Sequence, residues 1–179
     1  MRPAGIVLYV IANLLVLRGL PVWVSGDPVV RIALALLITF VATLAHELGH
    51  ALAARWAGAE VHAIMVVPFR LRLRPRKLTL AGPAGRGDVG GYVTYTLDRI
   101  GSRRKQAMIA AAGPAANLVL ALLVLFFGPL LFRFGNGWFG WLGTLGSFSV
   151  LMAIYNLAPF PGSDGQHILQ NLRKPKPRA

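Results

Sequence analysis

The sequence predicts an all-α polytopic membrane protein with about four transmembrane helices and a small membrane-associated β element between helices 2 and 3. Of its 179 residues, 55% are hydrophobic and only 14% are charged, which is unlike an ordinary soluble domain. Several apolar runs reach the roughly 20 residues that a helix needs to cross the hydrocarbon core of a bilayer. We therefore expect a single membrane-embedded domain over residues 1–179.

The first apolar run has two interpretations. It contains Asn13, Arg18 and Pro21, and small residues follow at Ser25 and Gly26, as they do after the apolar region of a cleaved signal peptide. We favour a retained first helix. The four helices are predicted at about 6–24, 29–57, 107–131 and 138–160.

The segment 58–104, between the second and third helices, is predicted to form the β element. Residues 61–67 are apolar and rich in β-branched side chains, and residues 69–74 alternate between apolar and basic with a period of two. Residues 90–96 predict another short strand. Backbone polar groups cannot stay unpaired in lipid, so we expect this sheet at the membrane interface or sheltered by helices.

The basic residues predict the orientation. The net charge is +13, and 16 of the 19 Lys and Arg residues lie inside if both termini, with the basic tail 173–179, and the stretch from Arg55 to Lys105 are cytoplasmic. We therefore predict a multi-pass protein of a prokaryotic cytoplasmic membrane with both termini in the cytoplasm. At this location the basic face is expected to meet anionic lipid headgroups, and nucleic acid is not an expected partner.

A metal-binding pattern lies within the second helix. His46-Glu47-Leu48-Gly49-His50 places two imidazoles at i and i+4, on one helical face, with a carboxylate beside them. Ionisable groups are costly in hydrocarbon, so three of them within five positions indicate a functional site, here one Zn²⁺ per chain with Glu47 as catalytic base. The alternative is two histidines satisfied by neighbouring helices, with Glu47 as their buried hydrogen-bonding partner.

A catalytic zinc usually has three protein ligands, so the two histidines leave one to be found. Asp164 follows the last apolar helix, which by the predicted topology returns it to the side where His46 and His50 lie. The alternative role of Asp164 is the N-cap of a short helix over residues 166–172, and His167 is a competing ligand. The sequence contains no cysteine, which excludes a Cys-ligated zinc and a thiol nucleophile.

Four sequence elements together resemble the site-2 protease family of intramembrane zinc metalloproteases. They are His46-Glu47-Leu48-Gly49-His50, Gly90-Gly91-Tyr92-Val93, Ala112-Gly113-Pro114-Ala115-Ala116-Asn117, and Asn156-Leu157-Ala158-Pro159 leading to Asp164-Gly165. The resemblance implies that His46, His50 and Asp164 bind zinc and that Glu47 is the catalytic base. It also implies that Asn117 contacts substrate backbone, and that the strand containing Gly91, Tyr92 and Val93 receives substrate.

The resemblance implies a zinc-dependent endopeptidase that cuts within or near the transmembrane segments of its substrates. Single-span membrane proteins and signal-peptide-like segments are the expected substrates. Many relatives carry a PDZ or a CBS domain, for which this chain has no room, and the stretch 160–163 is less apolar than expected before Asp164-Gly165. The alternatives are a catalytically silent zinc-binding scaffold and a metal transporter.

Overall fold

Five helices and four strands make up the described part of the chain. The computed structural model describes residues 3–20, 27–80, 90–97, 102–131 and 136–173. In chain order the elements are α1 (Pro3–Gly19), α2 (Pro28–Trp56), β1 (Glu60–Val66), β2 (Phe69–Leu73), β3 (Arg76–Leu80), β4 (Gly91–Thr96), α3 (Ser102–Leu131), α4 (Asn136–Leu157) and α5 (Asp164–Leu172). A mostly helical chain with a small sheet between helices 2 and 3 is therefore confirmed.

The helix ends differ from the predicted ones for local reasons. α3 begins at Ser102 rather than 107, because the basic residues of its first turn form helix well but do not belong to an apolar run. α4 ends at Leu157, two residues before Pro159, since proline disfavours helical backbone in the residue that precedes it. Of the predicted basic tail, residues 174–179 lie outside the described residues.

α2 begins and ends at clear sequence signals. The side chain of Asp27 accepts a hydrogen bond from the backbone N–H of Val29 at 2.8 Å, and Pro28 occupies the first helical position. At the other end, Gly58 adopts a φ of +85°, and Lys105 of α3 donates to the carbonyl oxygen of Ala57 at 2.8 Å. The 29 residues in between span roughly 44 Å, more than the thickness of a bilayer core.

Two helices among the described residues are long and apolar enough to cross a membrane: Pro28–Trp56 and Arg103–Gly128. The exposed and buried faces of α2 are the reverse of those in a soluble protein. Leu36, Leu37 and Leu52 are exposed, whereas Thr39 and Thr43 are buried. A helix that shows its large apolar side chains and hides its polar ones fits a lipid environment.

The sheet is antiparallel, with the strand order β3-β2-β1-β4. β3 was not predicted, because its basic start, Arg76-Lys77, hides the short alternation that follows. β1 packs its buried Val61 against a cluster of small residues at the end of α2 and against Ile109 of α3. This contact fixes the sheet beside the two helices, with β4 as a terminal strand.

Candidate metal centre

α2 brings two imidazoles together, as its sequence spacing predicts. The Nε2 atoms of His46 and His50 lie 3.1 Å apart, and the two rings meet edge to face with centroids 4.7 Å apart. His46 and Glu47 are buried in the protein interior. The described helix therefore presents two nitrogen ligands at one point.

A third candidate ligand comes from the start of α5. Asp164 Oδ2 lies 3.1 Å from His46 Nε2, and Oδ1 lies 3.4 Å from His50 Nε2. One possible ligand atom from each of these three residues lies within 4.8 Å of the others. His167, the competing candidate, is not part of this group in the described structure, although it lines the same cavity.

Ser163, and not Asp164, caps α5. Its hydroxyl oxygen accepts a hydrogen bond from the backbone N–H of Gln166 at 3.1 Å and lies 2.6 Å from the carbonyl oxygen of Ala158, to which it donates. The alternative role of Asp164 as the N-cap is therefore wrong. Because the neighbouring serine performs this task, the Asp164 carboxylate is directed to the histidines.

The three residues fit a zinc ion by their chemistry. Asp164 Oδ2 is buried 3.1 Å from His46 Nε2 and has no hydrogen-bond partner among the described residues. His50 Nδ1 lies 2.7 Å from the carbonyl oxygen of Ile109, which can only accept, so the ring proton is on Nδ1 and the Nε2 lone pair is available. Two imidazole nitrogens and one carboxylate oxygen are a usual catalytic zinc set.

The carboxylate of Asp164 is held in the form that binds a cation. Burial by itself would raise its pKa, but the neighbouring rings of His46 and His50 outweigh that effect and lower the pKa to about 2. Tyr95 of β4 shows the opposite response, since burial and then the negative charge of Asp164 raise the pKa of its phenol. Asp164 is thus anionic and Tyr95 neutral near pH 7.

β4 crosses directly over the side chain of Glu47. A Cβ added at Gly91 would lie 2.6 Å from Glu47 Cγ and 2.7 Å from its Oε1. Any side chain at this position would displace the carboxylate or the strand. Glycine at 91 therefore allows the backbone of β4 to approach Glu47 closely.

Comparison with known proteins identifies the family. Peptidase family M50 matches residues 32–135, more than half of the chain, a range that includes His46 and His50 and ends before Asp164. The chain belongs to peptidase family M50. This is the site-2 protease family, so the resemblance seen in the sequence is confirmed. No solved structure matches the chain.

Bacterial relatives lead to the same family. Rip2 of Mycolicibacterium smegmatis, provisionally named a zinc metalloprotease, is 31% identical over 94% of this chain and 70% of its own length. Rip2 of Mycobacterium tuberculosis, with the same provisional name, is 29% identical over 98% of this chain and 73% of its own length. The protein sll0528 of Synechocystis, also provisionally named a zinc metalloprotease, is 29% identical over 83% of this chain but only 33% of its own length. Membership of this family makes the chain a metalloprotease and disfavours the scaffold and the transporter.

Two glycines of this M50 chain, which no sequence pattern marks as site residues, pack against the candidate metal centre. A Cβ at Gly113 of α3 would lie 2.5 Å from His50 Cε1 and 2.8 Å from His46 Cε1. A Cβ at Gly49 of α2 would lie 2.7 Å from Ala116 Cβ. The sequence feature that could have identified them is their position within apolar helices, since small residues let membrane helices approach closely.

A cavity of about 1010 Å³ opens onto the metal centre. The predicted substrate-strand residues Gly91, Tyr92 and Val93 line it, together with residues from all five helices. Other polar lining residues were not predicted as part of the site: Thr43, Tyr95, Tyr155 and Asn171. No sequence pattern marks them, because they come together only in the fold.

Asn117, for which the resemblance implies a contact with substrate backbone, lies beside His46. Its side chain has no exposed surface, and it is absent from the cavity lining. Its amide nitrogen lies 3.3 Å from Nδ1 of His46, on the far side of the ring from the ligand atom. The structure thus places Asn117 behind a candidate metal ligand.

Proposed function

We propose that this M50 protein is a zinc-dependent intramembrane endopeptidase in which His46, His50 and Asp164 hold one zinc ion and Glu47 is the catalytic base. The observation that carries the proposal is the group of three ligand atoms within 4.8 Å of one another, with Glu47 in the same cavity. Zinc and hydrolysis are typical of the family, whereas the individual roles rest on this geometry.

The chemistry divides between the cation and the protein. Zinc, when bound, lowers the pKa of a coordinated water to about 7 and polarises the scissile carbonyl. Glu47 takes the proton of the attacking water as a general base and delivers it to the leaving amide nitrogen as a general acid. Gly91 supports this role because it lets the strand hold the carboxylate from one side.

A transmembrane substrate must unwind before it can be cut, because its carbonyls are bonded within the helix. β4 offers replacement partners, since among the described strands it pairs only with β1. The carbonyl oxygen of Gly90 accepts a hydrogen bond from the backbone N–H of Val67. Hydrogen-bonded and non-hydrogen-bonded pairs alternate along an antiparallel ladder, so the backbone N–H and C=O groups of residues 92 and 94 also point towards β1. The backbone groups of Gly91, Val93 and Tyr95 then face the open edge, where an extended substrate can pair with them.

We propose four transmembrane helices, formed by α1 to α4, with both termini and the sheet on the cytoplasmic side. The two clearly apolar helices and the placement of 16 of 19 basic residues on one side support this topology. The basic side then faces anionic headgroups, and substrates are single-span membrane proteins or signal-peptide-like segments.

The chain has no cysteine, so single cysteines introduced at positions 136 and 176 and labelled from outside test this topology directly. Labelling at 176 alone would overturn it.

The ligand set is tested by the zinc content of two purified variants in detergent. Asp164→Ala is expected to lose most of its zinc, because an oxygen ligand at 3.1 to 3.4 Å from the two imidazole nitrogens disappears. His167→Ala, one turn further along α5, is the matched control and is expected to keep it. Full zinc in Asp164→Ala with loss in His167→Ala would transfer the third ligand to His167.

A further inference from the structure

Asn117 is a buried amide that has no role in the mechanism proposed above. It lies in α3 with none of its surface exposed, and its one described hydrogen-bonding contact is His46 Nδ1. A buried polar group costs free energy unless it is paired, so an asparagine at this depth indicates a specific task.

Each of the two candidate histidine ligands needs a hydrogen-bond acceptor for the proton on its other ring nitrogen. A histidine that binds a metal through Nε2 carries its proton on Nδ1, which must donate to an acceptor. His50 already has one, the carbonyl oxygen of Ile109 at 2.7 Å. For His46 the group in that position is the Asn117 side chain, which can present either a donor or an acceptor.

The amide orientation in the structure does not suit a metal-bound His46. The amide nitrogen of Asn117 faces Nδ1 at 3.3 Å, and its oxygen is buried with no hydrogen-bond partner among the described residues. With the proton on Nδ1, two donors would face each other. A half-turn about the Cβ–Cγ bond exchanges the two amide atoms with little change of shape, which puts the oxygen against Nδ1.

We infer that Asn117 is a positioning residue for His46: its amide oxygen accepts the Nδ1 proton when zinc is bound and keeps the Nε2 lone pair directed at the metal. This inference rests on the proposed zinc site. It replaces the substrate contact that the sequence resemblance implies, because a side chain without exposed surface that is absent from the cavity lining cannot reach substrate.

The test is the zinc affinity of purified protein in detergent, measured by competition with a chromophoric chelator. Asn117→Leu keeps the approximate size but removes the acceptor, and it is expected to weaken zinc binding by roughly 10- to 100-fold, the usual effect of losing such a partner. Asn117→Asp has an oxygen in either orientation and is expected to stay within a few-fold of the unaltered protein. The control is Ser149→Ala, which removes a buried hydroxyl that lies 2.8 Å from Leu145 O in α4 and should leave zinc affinity unchanged.

Thermal unfolding of each apo-protein separates a folding defect from a ligand effect. Wild-type affinity in a folded Asn117→Leu, with cleavage reduced, would overturn the inference in favour of a substrate contact. A loss of affinity in folded Asn117→Asp as large as in Asn117→Leu would also overturn it, since the amide nitrogen would then be the group that matters. If Asn117→Leu does not fold, Asn117→Asp decides alone: affinity within a few-fold of the unaltered protein supports the inference, and a loss of roughly 10- to 100-fold overturns it.

The zinc site itself is tested in the same series. If unaltered protein binds no zinc, or if His50→Ala binds as tightly as unaltered protein, the proposed metal centre fails. If both behave as expected and Asn117→Leu still binds like unaltered protein, only the role of Asn117 fails.

Discussion

Glycines mark two kinds of helix packing in this molecule. Between α2 and α3 there is no room for a side chain, since a Cβ at Gly113 would lie 2.5 Å from His50 Cε1 and one at Gly49 would lie 2.7 Å from Ala116 Cβ. In α4, a Cβ at Gly143 would meet no described atom within 4 Å. Glycine is therefore required beside the histidines but replaceable at position 143 of α4.

The difference matches the two tasks that we propose for the site. Metal ligands need a rigid support, and close contact between α2 and α3 provides it. A peptide needs space, and the cavity of about 1010 Å³ provides that between the metal centre and residues of α1 and α4. β4 belongs to both regions, because Gly91 is tight against Glu47 while one strand edge has no neighbour among the described strands.

The largest effect is expected where α2 and α3 pack closely beside the histidines. Gly113→Ala should reduce zinc affinity by roughly 100-fold or more and abolish cleavage, because the new methyl group occupies the space of the His50 ring. Gly143→Ala is the matched control, also within a helix, and should keep zinc and change stability by no more than about 1 kcal/mol. Zinc content and thermal unfolding of both variants provide the comparison. Equal zinc loss in the two would mean that the packing difference has no functional meaning.

A smaller effect is expected where β4 meets Glu47. Gly91→Ala should keep its zinc but lower kcat/KM by about 100-fold, since a displacement of the base by about 1 Å has that consequence. Gly90→Ala is the neighbouring control, because a Cβ there would lie 3.5 Å from Thr43 Cγ2, an ordinary contact. Cleavage of a membrane-embedded peptide by both variants is the measurement. Unimpaired cleavage by Gly91→Ala would show that the close approach of β4 is not needed to position Glu47.

The smallest effect is expected at the open edge of β4. Val93→Pro removes an N–H that faces away from β1, and the loss of one backbone hydrogen bond to substrate should lower kcat/KM roughly five- to tenfold with zinc retained. Val93→Thr keeps the N–H and the β-branched shape, so it should cleave normally. Comparable kinetics for the two variants would indicate that substrate does not pair with this edge.

Sequence alone was sufficient where spacing along one element decides the geometry. His46 and His50 lie four residues apart in one helix, so their meeting follows from helical periodicity. The choice for Asp164 between cap and ligand was open, because Ser163 and Asp164 are both good capping residues and only the fold shows which one caps α5.

Contacts between elements were harder to predict. Gly113 looks like any small residue of an apolar helix until α3 is packed against α2. The resemblance named Asn117 but could not show which side of the His46 ring it would occupy. β3 was missed because only pairing with β2, for example Leu78 with Leu71, makes its short sequence a strand.

In the proposed mechanism, Glu47 acts as the base beside a zinc ion that it does not bind. The most direct measurement is the zinc content of Glu47→Gln together with its cleavage of a single-span peptide, compared with unaltered protein in the same membrane mimic. Glutamine keeps the size but cannot take a proton, so we expect full zinc and a loss of cleavage of about 10²- to 10⁴-fold. Cleavage near the unaltered rate would show that Glu47 is not the base, and loss of zinc together with cleavage would show that Glu47 helps to hold the metal.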